Sequence, residues 1–407
     1  MFIPVADPRV HNPIGWRRQP ANGVLALTWS ALAEADVGLL DPVADEVHLY
    51  GPRADGFFPG HHNVKHPEPD RLSVIVKRYR AVFLPSGAES RDELSWALAA
   101  IASGTPVMSR PSTVLDALLP DRYVRVESPQ DVTNAFDRLS DEVERGRLSV
   151  SARRHVFMTH TPRSRFEQIL HQIGIPVVAP ERITVLAATK RPEQVQRLLE
   201  SFAVQRWPRK ELSLLLHGVE RFNVAEVQRL LERVDDPTQV VGCPDRWTLG
   251  DCLNAGLDAA NGEYVAKMDD DDHYGSHHLT DLVLAARYSG AAAVGKLANT
   301  TYLTASDVMV DWRIDDQERF VHHLPGATML ARTELVRRYG FRRVNRSVDS
   351  MLWERMTAEG HRLYSTHWFD FVRVRHDDNT YVRGDEDFLK LATRPPLAGL
   401  TLERWIS

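Results

Sequence analysis

The chain has 407 residues, 43% hydrophobic and 26% charged, with a net charge of −5. That length suits two or three ordinary domains, and the mix is that of a soluble globular protein. The acidic balance argues against a nucleic-acid partner, which would call for a basic patch.

Two cysteines, Cys243 and Cys252, make no disulfide framework, so a reducing compartment is expected. No apolar run approaches the ~18 residues of a membrane span. The start, MFIPVADPRVHNPIGWRRQP, lacks the apolar core of a signal peptide. A cytoplasmic protein is expected, with any membrane contact peripheral at the inner face.

Residues 1–20, rich in Pro and Arg, read as an irregular arm. Between 21 and 175, five short apolar runs read as strands: GVLALTW, DEVHLYG, YRAVFLPS, TPVMSR and YVRVES. SRDELSWALAAIASG predicts a helix with Ser90 as cap, Leu94, Leu98 and Ile101 on one face, and Gly104 at its end. TPRSRFEQILHQIG predicts another, opened by Thr161 and Pro162 and closed by Gly174. Strands alternating with helices imply an α/β domain with a mostly parallel sheet covered on both faces.

GIPVVAPER has two prolines and no helical period, which places an interdomain linker at 176–182. A second alternating block occupies 183–390. RITVLAAT reads as a continuous apolar strand. RPEQVQRLLESFAVQRWP follows as a helix, with Pro192 in its first turn and Val195, Leu198, Leu199 and Phe202 on one face. ELSLLLHG is the next strand. TLGDCLNAGLDAANG is a helix capped by Thr248 and stopped by Gly262. EYVAKM reads as the third strand. Residues 391–407 read as a C-terminal tail.

KMDDDDHYG stands directly behind that third apolar run. Four adjacent carboxylates repel one another, so the run is either a solvated loop or the seat of something positive. In open α/β sheets, ligands bind outside the carboxyl ends of the strands. AAT, HG and the aspartates all fall on that edge. Carboxylate oxygens are the hard ligands that Mg2+ and Mn2+ take. Such a cation offsets the repulsion and leaves positions for phosphate oxygens.

The segments TVLAATKRPE, LNAGLDAANGEYVAKMDDDDHY, LPGATMLARTELVRRYGF and VDSMLWERMTAEG make residues ~182–385 resemble the family-two glycosyltransferases of the GT-A fold. The resemblance implies a nucleotide-diphospho-sugar transferase fold and a metal-dependent, inverting glycosyltransferase using Mn2+ or Mg2+. It implies that Asp271, with Asp269 in D-x-D spacing, holds the cation, and that His376 is a further ligand. Ala188, Thr189, Arg191, His217, Asn254, Asp269, Asp270 and Gly326 match the nucleotide-sugar-binding positions. Gly256 lies on the same helix as Asn254, and Gly326 lets the backbone approach the donor sugar. Asp349 matches the catalytic base.

Plainer roles compete. Asp349 and Thr189 are good helix caps, Asn254 suits a satisfied polar position, Arg191 a surface one, and Trp353 either the core or an acceptor wall. The sequence departs from the family at three places. His217 stands where an aspartate reads the base, Leu253 where many members carry arginine, and Val348 where a glutamate precedes the base. With Leu253 in the arginine's place, one phosphate contact is expected from elsewhere, with Arg246 as the candidate. His273 is a weaker metal candidate.

The stretch VFLPSGAESRDELSWALAAIASGTPVMSRPSTVLDALLP, with Arg163, Phe166, Ile169, Leu170, Ile173 and Gly174 after it, resembles the carboxyl-terminal half of group-one GT-B glycosyltransferases of the spore-maturation type. The acid ahead of the GTP turn is replaced by Ala99, and only ~20 residues precede the domain. Residues 21–175 are therefore expected to be a Rossmann-like, non-catalytic domain serving as scaffold, homodimer contact or acceptor dock.

The leading expectation is transfer of a sugar from a nucleoside diphosphate, UDP first, to a hydroxyl of a glycan, lipid-linked glycan or small-molecule acceptor. The membrane helices and Q-x-x-R-W motif of processive synthases are missing, so one sugar per encounter is expected. A nucleotidyltransferase is one alternative, although AATKRPE is a poor version of its Gly-rich loop. A degenerate, non-catalytic scaffold is the other, favoured by Val348, His217 and Ala99.

Overall fold

The apolar runs of the first block become a sheet with no polar face. They are β1 (Asn22–Leu27), β2 (Val47–Tyr50), β3 (Asn63–Val64), β4 (Tyr79–Leu84), β5 (Val107–Ser109) and β6 (Val124–Arg125). Every pairing is parallel, in the order β3-β2-β1-β4-β5-β6. Val24, Leu25 and Ala26 are consecutive and fully buried, which requires cover on both faces. In this computed structural model the described residues are 4–16, 18–20, 22–27, 34–51, 63–64, 71–85, 90–376 and 384–406. Thr28 and Trp29 of the first predicted strand, and Ser86 of the third, lie outside them. The chain divides into two units, Met1–Val177 and Val178–Ser407.

The first predicted helix forms as Arg91–Ala102 under a capping box. Ser90 accepts from the Glu93 N–H, and the Glu93 carboxylate accepts from the Ser90 N–H. Gly104 ends it with φ 92°. Thr161 caps the second predicted helix, Pro162–Gln172. The arm is irregular but anchored. Trp16 Nε1 donates to the Gly104 carbonyl (3.1 Å), Lys77 Nζ to that of Ile14 (2.8 Å) and Arg145 to that of Arg18 (2.7 Å).

The second unit contains thirteen strands among its described residues. They are β7 (Ile183–Thr189), β8 (Lys210–His217), β9 (Thr238–Cys243), β10 (Tyr264–Lys267), β11 (His273–Tyr274), β12 (Ala293–Gly295), β13 (Asn299–Leu303), β14 (Val308–Trp312), β15 (Arg319–Val321), β16 (Leu330–Arg332), β17 (Leu363–Ser365), β18 (Phe371–Arg375) and β19 (Leu397–Ala398). An eight-stranded sheet runs β15-β17-β12-β16-β10-β7-β8-β9, and a five-stranded sheet runs β11-β18-β13-β14-β19. β9, β8, β7 and β10 are mutually parallel, so their carboxyl ends share one edge. One core cluster joins Leu186, Leu215, Leu253, Val265, Met329 and Trp353.

The structure corrects three sequence expectations. β9 precedes the strand read as third. It lies at the sheet edge with Val240 43% exposed, so no apolar run marks it. The helix opened by Thr248 ends at Asp258, ahead of Gly262, whose tight contact with the Thr184 backbone N leaves no room for a Cβ (2.6 Å). The expected tail is part of the fold: β19 pairs with β14, and Trp405 is buried against Trp368. Among the described residues no helix is long and apolar enough to cross a membrane.

Candidate active site

β7 delivers Ala188 and Thr189 to the shared edge, β8 delivers His217, and β10 delivers the acidic run. The chain turns after Thr189. Its Oγ1 accepts from the Arg191 N–H (3.0 Å) and donates to Asp270 Oδ2 (2.5 Å). The Thr189 side chain thus fastens the turn to the acids, and no side chain caps the following turn Pro192–Gln194. Ala188 sits half-buried beside it, in register with Leu215.

Arg191 closes the same corner. Its Nε donates to Asp270 Oδ2 (3.1 Å), and its Nη2 donates to Asp270 Oδ1 and Asp271 Oδ2, the latter at 3.0 Å. Burial alone would lower the pKa of this guanidinium. The hydrogen bonds and charges of Asp270 and Asp271 outweigh that and hold it above its ordinary value. Asp271 also meets His376 from the end of β18, with Oδ2 to Nε2 at 2.8 Å. Burial works to raise Asp271, but Arg191 and His376 overcome it and keep its pKa below the usual carboxylate value.

Asp272 is buried and accepts from the Val374 N–H (2.9 Å), tying the acidic loop to β18. Burial, then the charges of Asp271 and Asp269, push its pKa well above the ordinary range. Asp269 pairs with Lys267, the last residue of β10, whose side chain is 7% exposed. Burial would lower the Lys267 pKa. The charge and hydrogen bond of Asp269 outweigh it, with Asp349 and Asp272 adding attraction, so the net shift is upward.

A second loop reaches the same place. The Asp269 N–H donates to Tyr274 Oη (2.8 Å), and that hydroxyl donates to the Ala327 carbonyl (2.9 Å) in the turn Gly326–Thr328. A Cβ on Gly326 would lie 3.0 Å from Asp349 Oδ2. Glycine therefore gives the Asp349 carboxylate its space. Asp349 heads the helix Ser350–Ala358 but makes no side-chain cap bond. Trp353 Nε1, in the buried core, donates to the Leu324 carbonyl (2.9 Å) and lies 3.4 Å from Asp349 Oδ2.

Thr189, Arg191, Asp270, Asp271 and His376 are thus joined by direct contacts, while Asp269, paired with Lys267, leads through the Tyr274 bridge to the Gly326 turn beside Asp349. His217 donates through Nε2 to the Trp247 carbonyl (2.8 Å). Asn254 spends both ends of its amide on the backbone. Its Nδ2 donates to the Phe341 carbonyl (2.9 Å) and its Oδ1 accepts from the Phe341 N–H (2.9 Å), so its amide clamps a backbone segment. Gly256 packs its helix against Leu215.

Of the expected metal set, Asp271 and His376 meet directly, while Asp269 turns to Lys267. Among the described residues no three His, Cys, Asp or Glu side chains gather closely enough to hold a metal ion. The pair that does meet, a carboxylate and an imidazole, suits a Mg2+ or Mn2+ ion whose other positions are filled by phosphate oxygens and water.

Sequence reasoning missed Lys267, Tyr274 and Arg197. Arg197 Nη2 donates to the carbonyls of Asp271 (2.9 Å) and Asp272 (3.1 Å), fixing the backbone of the acidic loop. The signal for Lys267 was its place inside the quoted motif. Arg197 shows only as a polar position on an amphipathic helix.

Residues 184–339 match the family model Glycosyl transferase family 2. The match lies within the second unit and spans less than half of the chain. The second unit therefore contains the region similar to that glycosyltransferase family model. Similar solved structures include the mannosyltransferase PcManGT from Pyrobaculum calidifontis in complex with GDP-Man and Mn2+, at 18% identity and TM-score 0.38, covering 54% of this chain and 66% of that one. Another is S. aureus TarS 1-349 in complex with UDP-GlcNAc, at 16% identity and TM-score 0.37, covering 52% and 64%. The chain spans slightly under two thirds of each. The curated proteins include no match to this sequence.

Proposed function

We propose that the second unit transfers a glycosyl group from a nucleoside diphosphate sugar, UDP first, to an acceptor hydroxyl with inversion. The observation that carries this reading is the hydroxyl bridge of Tyr274. It ties the acidic loop to the turn beside Asp349, which supports reading the acid cluster and the Asp349 carboxylate as parts of one site.

Asp349 is the general base. It takes the proton of the acceptor hydroxyl while that oxygen bonds to the anomeric carbon. The bond from that carbon to the diphosphate breaks, and the nucleoside diphosphate leaves with the electron pair. Asp271 and His376 would hold a divalent cation. When bound, it orients the diphosphate and offsets charge on the leaving group. Arg191 stands beside the same Asp271 carboxylate as a fixed cation. Thr189 and Asp270 set the loop that receives the nucleoside, and His217 offers an imidazole where the base would lie. The first unit is read as a non-catalytic scaffold in a protein acting at the cytoplasmic side.

The test is release of nucleoside diphosphate from a panel of sugar nucleotides with Mn2+, in wild type and Asp349→Asn. The variant should lose roughly 100- to 10,000-fold in kcat. Turnover within a few-fold of wild type removes Asp349 from the mechanism. Release of pyrophosphate from nucleoside triphosphates in place of sugar transfer overturns the reading.

A further inference from the structure

The residues just ahead of Asp349 read FRRVNRSVD, with three arginines and no acid before Asp349. In a chain of net charge −5 this is a local reversal of sign. The loop is exposed yet firmly held. The Arg342 N–H donates to the Val348 carbonyl (3.0 Å), and the Val344 N–H to the Arg342 carbonyl (2.9 Å). The Gly250 N–H donates to the Val344 carbonyl (3.1 Å), and the Leu249 N–H to Asn345 Oδ1 (2.9 Å). A Cβ on Gly250 would fall 1.8 Å from the Arg342 oxygen, so backbone meets backbone there. Ser347 holds a left-handed φ of 52°, an unfavourable conformation for serine kept two residues before the base.

This platform uses one arginine for itself: Arg343 pairs with Asp251 (3.0 Å). Arg342 and Arg346 are exposed and have no side-chain partner among the described residues. A second loop leading to the Asp349 contact carries the exposed His322 and His323, three and four residues before Gly326. Both chain segments that converge on the base thus present basic side chains with no partner among the described residues.

Resting on the transferase reading, we propose that the acceptor is anionic, bearing a phosphate group close to the hydroxyl that attacks. Arg342 and Arg346 bind that group. A guanidinium fork matches phosphate oxygens, and a pre-ordered loop reduces the entropy lost on binding.

The experiment pairs neutral hydroxyl acceptors with their phosphate monoesters, methyl glucoside with methyl glucoside 6-phosphate among them. It adds vesicles of phosphatidylglycerol against phosphatidylcholine. Each is assayed for transfer at fixed donor with wild type, Arg342→Gln/Arg346→Gln and Arg342→Lys/Arg346→Lys. The phosphate-bearing acceptors should show a KM at least about tenfold lower than their neutral partners, a gap that narrows as salt rises. The glutamine variant should erase the gap and the lysine variant should keep part of it. Turnover on phosphatidylglycerol alone assigns the anion to a lipid headgroup, and turnover on the soluble ester to a free phosphate.

Equal use of charged and neutral acceptors overturns the inference. So does a preference that survives the glutamine variant, or a rise in donor KM in place of acceptor KM. Donor cleavage without transfer to any phosphorylated acceptor also overturns it, while leaving the transferase reading standing. No cleavage of any sugar nucleotide, in water or with acceptor, defeats that reading itself.

Discussion

Replacing Tyr274 with phenylalanine removes one oxygen and leaves two backbone groups to find new partners. The ring keeps its place, packed edge-on to His278 (4.9 Å) and tilted against Phe371 (5.4 Å), so the change isolates the hydroxyl. That hydroxyl accepts from the Asp269 N–H and donates to the Ala327 carbonyl. A buried polar group left unsatisfied costs about 1–3 kcal/mol. The Ala327 carbonyl lies in a buried contact, whereas the Asp269 N–H is only half-buried and reaches water more easily. The expected loss is therefore about 2–3 kcal/mol. Urea unfolding of the full chain, followed by tryptophan fluorescence, should show the transition of the second unit at lower denaturant with an unchanged slope. The same variant frees the acidic loop from the Gly326 turn, so the donor KM should rise roughly tenfold, a penalty of about 1.4 kcal/mol. Unfolding within about 0.5 kcal/mol of wild type, together with an unchanged donor KM, would refute the bridge as the tie between the two loops.

Gly326→Ala places a methyl 3.0 Å from the Asp349 carboxylate. Stability should fall by less than about 1 kcal/mol while kcat drops roughly 10- to 100-fold, because a base displaced by tenths of an ångström loses alignment; steady-state kinetics beside thermal unfolding check it. Asp271→Asn should raise the Mn2+ dissociation constant at least roughly tenfold in calorimetry, and His376→Gln less, since an imidazole is the weaker partner of a hard cation. Acid should weaken the first unit through His160, which is buried and lowered from 6.5 to about 4, chiefly by burial, with Arg165 adding repulsion. The unfolded chain takes up a proton below pH 6.5 and the folded one does not until about 4, so this stability is present above pH 6.5 and falls away towards pH 4. The term is at most about 3 kcal/mol, and His160→Gln should flatten the pH dependence of unfolding over that window.

What the sequence revealed, and what it hid, follows from range. Buried parallel strands announce themselves as unbroken apolar runs, and helix starts as caps, because those signals sit within a few residues. Ser90, Thr161 and Thr248 all cap as their local patterns predict. β9 stays silent because an edge strand needs no apolar run. The five-stranded sheet stays silent because β18 pairs with β11 from one region and β13 from another. Asn254 looks like a ligand in its motif, yet its partner is the backbone 87 residues onward.

The acidic run shows the same limit in its charge. From sequence alone, four repelling carboxylates ask for an external cation. In the fold, Lys267 answers Asp269, Arg191 answers Asp270 and Asp271, and the Val374 N–H meets Asp272. The chain supplies most of the compensation itself, from the adjacent Lys267 and from segments roughly 80 residues upstream and 100 downstream of the run. Repulsion is thus no argument for a metal at this site. The argument that survives is one of ligand chemistry. Asp271 Oδ2 is shared between a guanidinium and an imidazole that comes from the end of a different sheet strand. An imidazole brought that far to a single carboxylate oxygen is the geometric feature that a hard dication, together with a diphosphate, would use.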